Sequence, residues 1–293
     1  MKNNSLNWYG VSIAQGTITG GLKKLMPLFS PIADNMLQRC QNDTHWHADE
    51  TRWEVFEKIE GKKTSRWYLW VFRGTDVVYY TIAPTRGYIV PETFFKDSAT
   101  GILNCDRYIV YRVLANKTNI SIALCWAHVR RDLLEVTNAY PDTNEWATDW
   151  LDDIRELYEM NKLRLSSKKG DQNFTEKTRV IKEKLELMKD KLDQQLQQDD
   201  LKISSRKVLT SLKNHWEDLV VFVDNPHVPM DNNLSERSLR SGVVGRKNYY
   251  GSGSVWSSQL TAMMFTIIET LKVWKINTHT WFSNYLHACA ENK

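Results

Sequence analysis

The stretch HWHADETRWEVF, His45–Phe56, is dense in aromatic and β-branched residues, and two similar runs follow it: RWYLWVF at Arg66–Phe72 and VVYYTI at Val77–Ile82. Such composition favours strands. The turn-forming residues Glu60-Gly61-Lys62 and Arg73-Gly74-Thr75-Asp76 separate the three runs, so they read as an antiparallel meander. Beyond it, Pro91 opens a short helix through Lys96, Gly101–Cys105 is a fourth strand, and Tyr108–Leu114 is a helix. Ile120–Cys125 is a fifth strand and Trp126–Tyr140 returns to helix.

The order β-β-β-α-β-α-β-α predicts an α/β domain of ribonuclease-H-like layout, a mixed five-stranded sheet flanked by helices. Ahead of it, residues 1–44 read as a helical lead-in, with a kink or break at Pro27 and a new first turn at Pro31. Residues 45–140 form the first part of the core. Residues 141–223 read as an all-helical insertion before the last helices of the core. Within it, Trp146, Trp150, Ile154, Leu157 and Tyr158 mark one apolar stripe, and Ile181, Leu185, Met188, Leu192 and Leu196 another. That spacing suits a helical hairpin turning at Ser166–Asn173. Residues 224–293 complete the core with a helix from about Leu234, a basic glycine-rich loop at Gly242–Ser254, and an apolar helix at Leu260–Trp274.

Hydrophobic residues make up 42% of the 293 and charged residues 25%, which excludes a mainly disordered chain. The net charge of +4 is too mild to announce a polyanion partner by itself. Its distribution is more telling. Residues 141–200 hold 15 acidic against 11 basic residues, leaving 28 basic against 20 acidic elsewhere, an acidic insertion in a basic body. Cys40, Cys105, Cys125 and Cys289 form no CxxC pair; this speaks against a zinc site or disulfide framework and fits a reducing cytosol. No apolar run approaches the roughly 18 residues of a membrane span, and the N-terminus has no signal-peptide core, so a cytoplasmic protein without membrane partners is expected. The 12 tryptophans are read as core, with base stacking as the alternative.

Three places hold candidate chemistry. Asp49 and Glu50 lie inside the first strand, where a carboxylate is costly unless paired or metal-bound; side chains alternate, so only one faces a given sheet surface. Asp106 follows the fourth strand, at the strand end where α/β sheets gather their ligands, although Asp is also a common turn residue there. Met230–Arg240, MDNNLSERSLR, places Glu236 in the first turns of a helix that Asp231 or Asn232 caps. Arg237, Arg240, Arg246 and Lys247 add positive charge around it, as salt-bridge partners or phosphate contacts. Two Mg²⁺ ions held about 4 Å apart need such converging carboxylates. Cys125 and His128 lack a second ligand pair, so a supporting role is expected of them rather than a metal site.

The blocks Tyr9-Gly10-Val11, HADET at His47–Thr51, CWAHVRR at Cys125–Arg131, DNNLSERSLR at Asp231–Arg240 and GRKNYYGSGS at Gly245–Ser254 occur in one order. Together they resemble the transposases of insertion-sequence family 66, over residues 8 to 290. The resemblance implies a DDE-type transposase core acting on transposon ends and target DNA. It would perform metal-dependent cleavage, then attack of the freed 3′-hydroxyl, with two Mg²⁺ ions for which Mn²⁺ substitutes. It implies Asp49, Asp106 and Glu236 as catalytic and metal-binding acids, with Asp97 the fallback for the second. Arg237, Arg240, Arg246, Lys247, Arg130 and Arg131 are then the DNA contacts, and Cys125, His128, Asn232 and Asn233 support the site. A homo-oligomer is expected when the protein acts at the nucleoid, alongside other element-encoded proteins. Arg107 stands where the family usually has glycine, and the family's N-terminal cysteine-rich segment has no counterpart here. A truncated, non-catalytic DNA-binding or inhibitory assembly protein is therefore the competing expectation.

Overall fold

The computed structural model describes residues 10, 12–95 and 100–291. Five strands and flanking helices make a mixed α/β fold. By backbone proximity the chain divides into two compact units, residues 1–98 with 234–293, and residues 99–233.

The first unit is built on the meander. Strands β1 (His45–Glu54), β2 (Arg66–Arg73) and β3 (Val78–Ala83) pair antiparallel, with Thr51 opposite Leu69 and Trp70 opposite Thr81. On one face Trp53, Trp67, Leu69, Val71, Val78 and Tyr80 form a core with Leu239 and Ala262, which lie on helices α9 (Asn233–Tyr249) and α10 (Val255–Val273). On the other face Phe72 stacks on Phe94, ring centroids 4.1 Å apart, and Trp46 meets Phe95 edge-on. Both phenylalanines come from α2 (Ile89–Phe95). The outer edge of β3 is covered rather than left open for pairing: the Val78 and Tyr80 amides donate to Thr270 Oγ1 and Thr266 Oγ1 of α10.

Helix α1 spans Gln15–Gln41 and contains both Pro27 and Pro31; the chain does not break at either, and Pro31 does not start a new helix. The two prolines are four residues apart on the solvent side, where the carbonyls deprived of an amide partner reach water. Phe29, Ala33, Met36 and Cys40 are buried on the opposite side. Burial pushes the Cys40 thiol up to about 12. The C-terminal helix α11 covers Thr278–Glu291.

In the second unit, β4 (Gly101–Cys105) and β5 (Ile120–Leu124) run parallel, joined by the crossover helix α3 (Ile109–Lys117). Helix α4 (Trp126–Ala139) leaves the end of β5. Helices α5 (Asn144–Leu165) and α6 (Gln172–Gln197) form a hairpin, followed by α7 (Ile203–Asn214) and α8 (Trp216–Leu219). Most of both apolar stripes is buried, Trp150, Ile154 and Leu157 on α5 and Ile181, Leu185, Met188 and Leu192 on α6, with Ala147, Asn161 and Arg164 buried beside them, while Trp146, Tyr158 and Leu196 are half-buried. Both Trp146 Nε1 and Trp150 Nε1 donate to Gln195 Oε1 at 2.9 Å. Buried Arg164 donates to the Phe222 and Val223 carbonyls and so ties the hairpin to the segment leading toward Asp231.

Trp46, Trp53, Trp70, Trp126 and Trp150 are fully buried, so these tryptophans are core. Among the described residues no helix is long and apolar enough to cross a membrane.

Candidate active site

In the first unit the site begins with β1. Asp49 pairs with Val71, so it projects from the face that α9 and α10 cover. It is partly buried, and its Oδ1 accepts the Glu50 amide at 2.8 Å. Glu50 projects from the opposite face, where Oε1 takes both Arg86 Nε at 2.7 Å and Nη2 at 2.6 Å. One oxygen of its carboxylate thus takes two guanidinium nitrogens, and Asp49 is the acid on the α9 face.

Helix α9 is laid along β1 and β2 by contacts at both of its ends. Near its start, Arg73 Nη1 donates to Ser238 Oγ at 3.2 Å and Tyr80 Oη to the Ser238 carbonyl at 2.8 Å; Arg73 is the cross-strand partner of His47. Near its end, Arg246 Nη1 donates to Thr51 Oγ1 at 3.2 Å and the Arg52 carbonyl at 2.6 Å. Ser238 is thus held by Arg73, the partner of His47, and by Tyr80, which pairs with the Val71 that faces Asp49, and the helix runs on to Thr51. Glu236, in the first turn and partly buried, belongs to that starting end, where the helix dipole favours negative charge. Burial pulls the Arg73 guanidinium below its ordinary value, and the neighbouring Arg237 acts in the same direction. Arg237, Arg240 and Lys247 are exposed, whereas Arg246 is partly buried.

The expected loop at Gly242–Ser254 is mostly helix, because α9 continues to Tyr249. Its glycines allow close approach instead of unwinding the chain. The turn after it, Tyr250–Gly251, has positive φ at both residues and delivers Ser252 to the end of β1. There the Ser252 amide donates to the Glu54 carbonyl and Trp53 Nε1 to Ser252 Oγ.

In the second unit, Asp106 lies just past β4 and its Oδ1 accepts the Tyr108 amide at 2.9 Å, a turn that leads into α3. Arg107 is turned toward the helices, paired with Asp132 of α4 and donating to Ser211 Oγ of α7. The loop 229–233 is pinned to the strand ends. Asn104 Nδ2 donates to the Pro229 carbonyl, the Trp126 amide to the Met230 carbonyl, and the Asn232 amide to Cys125 Sγ. Asp231 Oδ1 accepts the Asn233 amide at 3.1 Å, the capping turn at the start of α9. Burial raises the Cys125 thiol, with the nearby Asp231 carboxylate adding to it, so Cys125 serves as a buried acceptor. His128 follows in the first turn of α4, its amide donating to the Cys125 carbonyl. Arg130 and Arg131 are exposed on α4.

Thus the structure lays the Glu236 helix along the Asp49 face within one unit, and ties Asn232 to Cys125 within the other. Tyr9, Val11 and Asp97 lie outside the described residues. Among the described residues no group of three or more His, Cys, Asp or Glu comes together as a metal-binding set. Asp49, Asp106 and Glu236 carry the carboxylate donors that a hard divalent cation takes. Arg73, Arg86 and Thr51 escaped the sequence reading. Their partners Ser238, Glu50 and Arg246 follow no local spacing, so no motif exposes them.

The model of the Transposase IS66 family matches residues 3–260. The chain belongs to this family. It is also 24% identical over 298 residues to the uncharacterized protein y4jD of Sinorhizobium fredii, covering 95% of this chain and 56% of that protein. A second uncharacterized protein of that organism, y4qI, is 24% identical over 301 residues, covering 96% and 54%. This transposase-family chain thus spans little more than half the length of these relatives.

Proposed function

We propose that this chain is the catalytic region of a DDE-type DNA transposase with a ribonuclease-H-like core, cutting DNA at transposon ends and joining the 3′-hydroxyl to a target. The observation that carries the reading is the course of α9, which bears Glu236 in its first turn, is held at Ser238 by Arg73 and Tyr80, and runs along the strand face that bears Asp49. Asp106, at the end of β4, is the second acid. Magnesium, or manganese in its place, would supply Lewis-acid activation of the attacking oxygen and stabilise the leaving one. The remaining catalysis is positioning. Exposed Arg237, Arg240 and Lys247 on α9, with Arg130 and Arg131 on α4, hold DNA phosphates. Cys125, Asn232 and Asn233 order the approach to α9, and His128 steadies the start of α4. The helices of residues 141–223 form an insertion into this core, and the protein acts as a homo-oligomer on DNA.

The test is nicking of supercoiled DNA with Mg²⁺ or Mn²⁺, comparing wild type with Asp49→Ala, Asp106→Ala, Asp97→Ala and Glu236→Ala. Cleavage lost in the Asp49, Asp106 and Glu236 variants but kept in Asp97→Ala is the expected result. The rival reading is a non-catalytic DNA-binding or assembly protein. DNA binding with no metal-dependent cleavage by the wild type would establish that rival.

A further inference from the structure

Arg246 belongs to the basic GRKN block, whose charge suggests a phosphate contact. Its guanidinium is engaged elsewhere. A single nitrogen, Nη1, donates to both Thr51 Oγ1 and the Arg52 carbonyl of β1, while the neighbouring Lys247 is exposed. Thr51 shares the strand face of Asp49, two residues away. Arg246 stands ten residues after Glu236, about 15 Å along the same rigid helix at 1.5 Å per residue. Between them Gly242 seats α9 against Leu69 of β2, so closely that a side chain there has no room. Arg246 therefore ties the far end of the helix to the Asp49 strand, while near Glu236 the helix is held at Ser238 from β2 and β3, by Arg73 and Tyr80.

We infer that Arg246 is a positioning residue: it sets the register of α9 along β1 and thereby the placement of Glu236 relative to Asp49. This rests on the reading of those two acids as catalytic. A helix free to slide or roll by about 1 Å displaces Glu236 enough to cost on the order of 100-fold in rate. A phosphate contact acts differently, through affinity and its salt dependence.

The experiment compares full-length Arg246→Gln, Thr51→Val and the double variant. It follows cleavage of an end-containing duplex with Mn²⁺, affinity for the same duplex without metal across a salt series, and amide exchange over residues 233–249. In Arg246→Gln, kcat is expected to fall about 10- to 100-fold with KM within about twofold. The slope of affinity against salt stays at the wild-type value, and α9 exchanges faster. Thr51→Val, which removes an acceptor but no charge, reproduces part of the kcat loss and adds nothing in the double variant. A salt slope reduced by about one with unchanged exchange, or additive losses, overturns the inference. If Arg246→Gln does not fold, Thr51→Val carries the test through its kcat and exchange. If the wild type does not cleave, the catalytic reading of the acids fails, while exchange and salt slope still decide whether Arg246 holds α9 or holds DNA.

Discussion

Gly242 of α9 lies against Leu69 of β2 so closely that a Cβ added to the glycine would stand 2.3 Å from Leu69 Cδ2. Leu69 is fully buried, so its Cδ2 must shift within the packed core to make room. In an exposed helix, Gly→Ala gains about 1 kcal/mol from backbone entropy. Overpacking a filled core costs about 1–3 kcal/mol, so the packing loss outweighs the gain. Gly242→Ala is expected to lower the urea midpoint, and Gly242→Val to lower it further. A midpoint that rises in the alanine variant would show that Leu69 gives way and that α9 has slack on this face.

The Glu50–Arg86 pair gives a separate test of the opposite face. The Glu50 side chain is fully buried, while that of Arg86 is 42% exposed. Removing one partner from a buried pair leaves a charge in a poor solvent. Arg86→Leu is expected to destabilise by about 2–3 kcal/mol, below the fully buried range because Arg86 itself reaches water. Glu50→Gln/Arg86→Leu should then be more stable than Arg86→Leu alone, since the stranded charge is gone. Equal stabilities in urea unfolding would mean that Arg86 does little to hold Glu50.

The strands of the first unit were readable from composition and turn residues because each meander pairing is local in sequence. So were the apolar stripes of α5 and α6, whose spacing repeats within one helix. What failed was reading glycine and proline out of context. Gly242 and Gly245 suggested a loop, yet they lie in α9, where Gly242 brings the helix close to Leu69. Pro27 and Pro31 suggested a break, yet both face solvent on an unbroken helix. At the candidate site, Asp49, Asp106 and Glu236 were legible as acids in telling positions. The engagement of Arg246 with Thr51 was not, because 195 residues separate them and only the folded chain brings them together.

Acid should loosen the α5–α6 hairpin. Asp153 of α5 receives both Lys184 and Lys191 of α6. Burial alone would raise its carboxyl, but the two lysines outweigh that and hold it below the ordinary value of 3.8. A carboxylate depressed in the folded state contributes stability that is fully present above its unfolded value. That contribution is lost as pH falls through the folded one. Unfolding free energies measured from pH 6 down to pH 2 should therefore converge between wild type and Asp153→Asn below pH 4, with wild type ahead at pH 6. A constant difference across that range would mean the lysines do not act through the Asp153 charge.

Arg240 and Lys247 are exposed on α9, the helix that carries Glu236, and the reading of this face as a DNA surface makes a quantitative claim. Each cation that neutralises a phosphate releases condensed counterions, so it contributes about one to the slope of log affinity against log salt. Arg240→Ala and Lys247→Ala should each reduce that slope by about one and weaken binding equally on end-containing and unrelated duplexes, because phosphate contacts carry no sequence information. Losses confined to end-containing DNA would instead place these side chains on base edges. A slope unchanged in both variants would remove Arg240 and Lys247 from the DNA interface and leave Arg237, Arg130 and Arg131 as the cations to test next.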